Sequence, residues 1–251
     1  MRKLIALLVI SLVLAATTTV ALGEELSGLE IMTKVDENGY FPTAYSRAKM
    51  IIRARNREMV KEMEMWSEGD TRSGLVTFLN PGDRGSKYLK IEDELWMFFP
   101  HADDLVKISG HMLRQGMMGS DFSYSDALEA DKLTELYTFT VVDEEEIDGR
   151  PTYVIEAEAL PGAEVSYAKR KGWIDQERFV PLREELYAVS GKLLKVSTTK
   201  KVEYINGRYI PTEVVMEDQL KRNSSTTMIL THIEVGVEIP EGLLSLRSLM
   251  R

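Results

Sequence analysis

Three histidines and no cysteine limit the chemistry this chain can carry. His101, His111 and His232 stand alone. None has a second ligand at His-x-x-x-His or Glu-x-x-His spacing, which would set two donors on one helical face toward a metal. His101-Ala102-Asp103-Asp104 brings an imidazole near two carboxylates, but it follows Pro100 and reads as a turn between strands. The serines lack a Gly-x-Ser-x-Gly elbow. Gly119-Ser120-Asp121 has neither a strand–turn–helix setting nor a histidine partner. Glu144-Glu145-Glu146 reads as a solvated turn, and Lys169-Arg170-Lys171 and Lys200-Lys201 read as solvated strand ends or as docking points for an acidic partner. Asn223-Ser224-Ser225 has the glycosylation pattern, which matters only in a eukaryotic secretory host. The expectation is a protein that is not an enzyme and uses no metal or cofactor.

What stands out instead is apolar. Met50, Met59, Met63 and Met65 cluster early, Met97 lies beside Trp96, Phe98 and Phe99, and Met112, Met117 and Met118 follow. Methionine is flexible and polarisable, so it suits either an irregular core or a cavity for guests of varied shape. The residues expected to line such a cavity are Met50, Ile52, Met63, Met65, Val76, Phe78, Leu89, Trp96 and Phe98. Leu95-Trp96-Met97-Phe98-Phe99 is apolar on both faces of a strand, so it is covered on both sides or one side lines a space. His111 to Gly119 is a glycine-hinged loop with apolar side chains. With Phe122 and Tyr124, its Met112, Leu113, Met117 and Met118 read either as a lid or gate or as packing over a sheet edge.

The elements that must position these residues are mostly strands. Residues 26–38 have helical apolar spacing; Ser27 and Glu30 have the separation of a capping box, and Gly39 ends the run. From about residue 45 the period becomes two. Asn56-Arg57 reads as a hairpin turn, Asn80-Pro81-Gly82-Asp83 as a turn, Glu92-Asp93 as a tight turn, and Leu105 to Ile108 as a short strand. Residues 109–136 break the pattern, with a helix over 124–131 capped by Ser123 or Asp121. Strands resume at Tyr137 to Val142. They continue through Tyr153 to Ala159, Tyr167 to Asp175, Leu182 to Val189, Leu193 to Thr199, Val202 to Tyr204, Tyr209 to Met216 and Thr226 to Val235. Asp148-Gly149, Ser190-Gly191 and Asn206-Gly207 are hairpin turns. The expected fold is mainly β (α+β), a curved antiparallel sheet of about 11 strands forming an incomplete barrel closed by helices.

Arg2 and Lys3, the apolar run Leu4 to Ala16 and the small residues Ala21 and Gly23 read as a secretory signal over 1–23, leaving one domain over 24–251. Without cysteine there is no lipobox, so the mature chain is not itself a lipoprotein. Lys and Arg total 31 against 40 Asp and Glu, a net charge of −9. That balance excludes nucleic acid, whose phosphates need a basic surface, and argues against steady adsorption to anionic lipid. Any membrane contact is expected to be transient.

Tyr88-Leu89-Lys90-Ile91-Glu92-Asp93-Glu94-Leu95-Trp96-Met97-Phe98-Phe99-Pro100 resembles the strand–turn–strand of LolA-like proteins. Met118-Gly119-Ser120-Asp121-Phe122-Ser123-Tyr124-Ser125-Asp126 is similar to the branch of outer-membrane lipoprotein-sorting proteins, and Glu238-Ile239-Pro240-Glu241-Gly242 resembles the closing Pro-x-Gly of that superfamily. The resemblance implies an incomplete β-barrel around a hydrophobic cavity. It implies a periplasmic carrier that holds the acyl chains of lipids or lipoproteins for delivery toward the outer membrane. An inner-membrane transporter would be its partner. The other role it implies is a non-enzymatic envelope scaffold, or an accessory subunit of an RND-type lipid exporter. The buried arginine that governs lid opening in such carriers has three candidate positions here, Arg47, Arg53 and Arg72.

Overall fold

The computed structural model describes residues 25–100 and 104–250. The expected export signal and the stretch His101-Ala102-Asp103 lie outside the described residues. Helix α1 (Gly28–Gly39) begins with the expected capping box. The Ser27 hydroxyl accepts from the Glu30 amide at 3.3 Å, and the Glu30 carboxylate accepts from the Ser27 amide at 2.8 Å. Its buried Ile31 and Met32 pack on Ile155 and Ile174 of the sheet. The approach is close at Gly28, where a Cβ would stand 2.8 Å from the Phe139 backbone.

The sheet has thirteen strands. The first meander is β1 (Thr43–Ala54), β2 (Arg57–Glu68), β3 (Ser73–Phe78), β4 (Lys87–Ile91), β5 (Glu94–Phe99) and β6 (Asp104–Ile108). The second is β7 (Tyr137–Ile147), β8 (Arg150–Ala159), β9 (Lys169–Asp175), β10 (Pro181–Tyr187), β11 (Leu193–Ile205), β12 (Arg208–Asp218) and β13 (Ser224–Val235). Their spatial order is β6-β5-β4-β3-β2-β1-β13-β12-β11-β10-β9-β8-β7. Every pairing is antiparallel, and the β1–β13 ladder joins the two meanders. The two edges, β6 and β7, are therefore sequence neighbours. The segment between them bridges the open side of the barrel. It holds two 3-10 turns (Gly110–Arg114 and Met117–Gly119), α2 (Tyr124–Glu129) and the short α3 (Leu133–Leu136). A last helical turn, α4 (Leu246–Leu249), lies against β4 and β5.

The mainly β, curved antiparallel architecture is as expected; several details differ. The strand count is thirteen and not about eleven. The first hairpin turns at Arg55-Asn56 and not Asn56-Arg57, because Arg57 pairs with Ala54 and Arg55 takes the left-handed conformation at φ 56°. Glu144-Glu145-Glu146 is no turn. It continues β7 opposite Tyr153, Thr152 and Pro151, and the chain reverses at Asp148-Gly149. A run of charge there suits an edge strand, since it discourages pairing with another sheet. Leu193 to Thr199 and Val202 to Tyr204 are one strand, β11, whose alternation breaks at irregularities around Lys201. The mid-chain helix stops at Glu129, two residues short of expectation, and a separate turn follows.

Candidate functional site

Strand register sorts the expected lining residues onto two faces. Met63 pairs with Ala48 and Phe78, Met65 with Val76, Val76 with Tyr88, and Tyr88 with Met97. Met50, Ile52, Met63, Met65, Val76 and Phe78 thus share the inner face, and Met50, Ile52, Met63 and Phe78 are fully buried. Leu89 pairs with Leu75 and Trp96, and Phe98 with Lys87, on the opposite face. Leu89, Trp96 and Phe98 therefore do not face the interior. They pack on Leu243, Leu244, Leu246 and Leu249 of the C-terminal segment. Strand β5 is apolar on both faces because each face has its own cover.

The inner cover is the bridging segment. Tyr124 and Leu128 of α2, with Met112, Leu113, Met117, Met118 and Phe122, join the cluster of Met50, Ile52, Met63 and Phe78. All six residues expected to form a lid thus meet the inner members of the expected lining. The Tyr124 hydroxyl lies 3.1 Å from that of Tyr88, which also donates to Met118 Sδ at 3.1 Å. The space inside β1–β6 is filled by the chain itself.

The other side of the segment is polar and faces β9–β13. Buried Asp121 accepts from Ser224 Oγ at 2.7 Å, Thr226 Oγ1 at 3.0 Å and Lys221 Nζ at 3.1 Å. Asp126 pairs with Lys195 Nζ at 2.8 Å and accepts from the Tyr167 hydroxyl at 2.8 Å. Glu129 accepts from Arg170 Nη2 at 3.2 Å and from the Ser166 amide at 3.1 Å. Ser123 caps α2 through a capping box with Asp126. At Gly116 a Cβ would stand 2.0 Å from the Ser120 carbonyl oxygen, so only glycine fits. The Gly119-to-Asp126 run is thus a docking motif: its tyrosine enters the apolar core while its acids reach the far wall.

Arg170 was hidden in the basic island Lys169-Arg170-Lys171. It is buried between the rings of Tyr137 and Tyr167, with centroids 5.1 and 5.2 Å from the guanidinium, and pairs with Glu184 at 3.0 Å as well as Glu129. Its Nε has no partner among the described residues. Two-residue periodicity with Ile174 was the available sign that it points inward. Of the three arginines weighed from sequence, Arg47 is exposed on the Tyr45 hydroxyl and Arg53 is exposed with Glu58. Arg72 alone reaches the bridging segment, forking onto Glu135 of α3.

Burial alone would raise the Asp126 pKa, but Lys195 and the hydrogen bonds at Ser123 outweigh it and hold the carboxyl below its ordinary 3.8. Buried Asp175 is held low in the same way by Arg150 and the amides of Arg178 and Glu177. Glu129 goes the other way: burial dominates over Arg170 and raises it above 4.5. Depressed carboxyls contribute stability that is present above the unfolded value and is lost as pH falls through the folded one. Glu129 has the opposite sign and disfavours the fold as pH rises past 4.5. The urea midpoint should therefore drop as pH falls below 3.8, and Lys195→Met should shrink that drop. An equal drop in the variant would remove Asp126 from the account.

A cavity of about 1260 Å³ lies between α1, the bridging segment, the second meander and the β2–β3 turn of the first. Ala127 of α2 and Ala130 just past its end line it, with Val180, Leu186, Met216 and Met228; Asp36, Asp70, Asp126, Arg170, Glu184 and Arg208 line it too. None of the nine residues expected to line a cavity lines this one. Of the six expected lid residues, Met117 and Phe122 do. Among the described residues no group of three His, Asp or Glu side chains could hold a metal.

A family model described only as an uncharacterized protein matches residues 69–251. No curated protein matches the chain. Among the solved structures that share its fold are the following three. A DUF1329 family protein from Desulfovibrio piger is 23% identical with a TM-score of 0.83, covering 88% of this chain and 97% of its own. A protein from Vibrio parahaemolyticus described as an outer membrane lipoprotein-sorting protein domain is 22% identical with a TM-score of 0.80, covering 89% and 98%. A LolA superfamily protein from Nitrosomonas europaea is 24% identical with a TM-score of 0.74, covering 89% and 100%. What the three share with this chain is the fold, a mainly β, curved antiparallel sheet with a few flanking helices.

Proposed function

Because the chain belongs to the family whose model spans residues 69–251, with the fold of the lipoprotein-sorting superfamily, we propose that it is a periplasmic carrier for an acyl-chain amphiphile. Residues 1–23 direct export and are removed, and residues 24–251 form one carrier domain. The observation that carries this reading is the 1260 Å³ cavity. It exceeds the roughly 300–1,000 Å³ of ordinary small-molecule sites. Its lining combines apolar side chains such as Val180, Leu186, Met216 and Met228 with charged ones such as Arg170, Glu184 and Arg208, partners for an acyl tail and a polar headgroup. Each methylene withdrawn from water stabilises the complex by about 0.8 kcal/mol. Holding cargo therefore needs no bond to form or break. Release needs a partner, for which an inner-membrane transporter or an outer-membrane acceptor is the natural class. The cargo space is the one beside α2 and not the filled face of β1–β6.

Native mass spectrometry of protein purified from an exporting host tests this. One lipid or acyl chain should remain bound. Ala130→Trp places an indole in the cavity from an exposed helical position and should lower occupancy about tenfold or more, the effect of 1–3 kcal/mol of steric conflict. The filled interior of the first meander favours a second reading, a non-enzymatic scaffold or an accessory subunit of a lipid exporter. A protein that is empty in every preparation yet binds an envelope partner would support that reading and end the first.

A further inference from the structure

The two ends of the barrel differ in kind. In an antiparallel meander alternate turns lie at the same end. The β1–β2, β3–β4, β8–β9, β10–β11 and β12–β13 turns therefore form one rim. Backbone bonds tie neighbours together. The Arg55 amide donates to the Asn223 carbonyl at 3.1 Å, the Gln219 amide to the Leu194 carbonyl at 2.8 Å, and the Leu79 amide to the Glu62 carbonyl at 2.9 Å.

This rim presents large apolar side chains to solvent. Val189 is 93% exposed at the tip of the β10–β11 turn and Leu220 is 57% exposed on the β12–β13 turn, with Leu79 and Leu160 partly exposed beside them. No core or cap explains them. Around them Arg55, Arg57, Arg84, Lys192 and Arg222 are exposed and make no salt bridge among the described residues. The acids of these turns are Glu164 and Asp83, and Asp83 is already paired with Lys61; exposed Asp104, where β6 begins, lies at the same end. The opposite rim has the reverse sign. Its turns carry Asp70, Glu92, Asp93, Asp148 and Glu177 against Arg72 and Arg178; Arg72 is paired with Glu135, Asp93 with Lys132 and Glu177 with Arg150, which leaves three unpaired acids to one arginine. An acidic chain has therefore gathered unpaired cations and solvent-facing aliphatics at one end.

We infer that this rim docks reversibly on an anionic lipid surface. Aliphatic tips enter the headgroup boundary while arginine and lysine meet lipid phosphates. Free cations on an acidic protein are the complement of such a surface, and an arrangement of isolated apolar tips on separate turns suits a fluid interface better than a shaped protein pocket. The acidic rim then points away from the membrane. The net charge of −9 limits adhesion and keeps it reversible. This docking is independent of what the cavity holds.

Flotation with vesicles tests the assignment, using soluble protein purified from an exporting host. Vesicles of phosphatidylglycerol and phosphatidylcholine at 3:7 should carry the protein, and pure phosphatidylcholine vesicles should not. Raising NaCl from about 0.1 to about 1 M should abolish binding, as the screening length falls from about 10 to about 3 Å. Each cation near an anionic surface is worth about fivefold in partitioning, so Arg55→Glu with Arg222→Glu should weaken binding at least about 25-fold. Val189→Asp with Leu220→Asp should weaken it too, and both pairs should keep the wild-type urea midpoint because the sites are exposed. Ala130→Trp should bind vesicles like the wild type, which separates this surface from the cavity. Absence of binding, equal binding to neutral vesicles, or indifference to charge reversal overturns the inference. So does a photocrosslinker at position 189 that captures an envelope protein while the vesicles stay bare.

Discussion

Arg170→Met should destabilise the fold by about 3–5 kcal/mol, measured as a lower urea midpoint at unchanged slope. The reason lies in what the substitution leaves behind. Glu129 and Glu184 converge on the guanidinium, and Glu129 is buried. A buried carboxylate without its cation retains the desolvation cost and loses the attraction that offset it. The rings of Tyr137 and Tyr167 also lose the cation stacked between them. Glu129→Gln in the same chain should recover part of the loss, since replacing both partners removes the stranded charge. Arg170→Lys should fall between, because an ammonium cannot fork onto two carboxylates and stack at once. A loss under about 1 kcal/mol for Arg170→Met would mean that Glu129 is neutral in the fold, or solvated, and that the seam between α2 and β9 is held by something else.

Phe78→Ala should cost about 3–5 kcal/mol and leave lipid occupancy unchanged. Phe78 is fully buried on the inner face, beside Met63 and edge-on to Tyr88 with centroids 5.6 Å apart. Removing the ring opens a void in a wall already packed by Tyr124, Leu128 and the segment's methionines. Ala130→Trp is its counterpart, filling the cavity with little effect on the core. The pair separates packing from cargo. If Phe78→Ala were mild and emptied the protein of lipid, the face of β1–β6 would be the cargo wall after all, and the segment over it a lid in the strict sense.

The methionines make these two faces alike in sequence. Alternation places Met50, Met63 and Phe78 on one side of the sheet, and that much is legible in the residues alone. Whether a buried apolar face meets a guest or another part of the same chain is not, because both bury the same surface and satisfy the same period. Strand β5 shows the ambiguity most sharply. Its two apolar faces announce two covers, but nothing local says that the outer cover is Leu243 to Leu249, more than a hundred residues away. The cavity that does exist is lined from distant segments, by exposed Ala127 and Ala130, Met216, Met228 and the end of α1, none of which carries a local sign.

Local chemistry also wrote the strand and turn sequence, the caps at Ser27 and Ser123, and the run from Gly119 to Asp126. These depend on side chains within a few residues of one another. The ties of Glu129 to Arg170, Asp126 to Lys195 and Asp121 to Lys221 span 41, 69 and 100 residues along the chain. A charged residue in an isolated strand looks solvated until the opposing carboxylate is in view. So the alternating pattern by itself determined a curved antiparallel sheet with a breaking segment in its middle. Only the closure of β1 on β13 decided that this segment would fill one half of the barrel and leave the other half open, because long-range pairing, not periodicity, sets which surfaces meet.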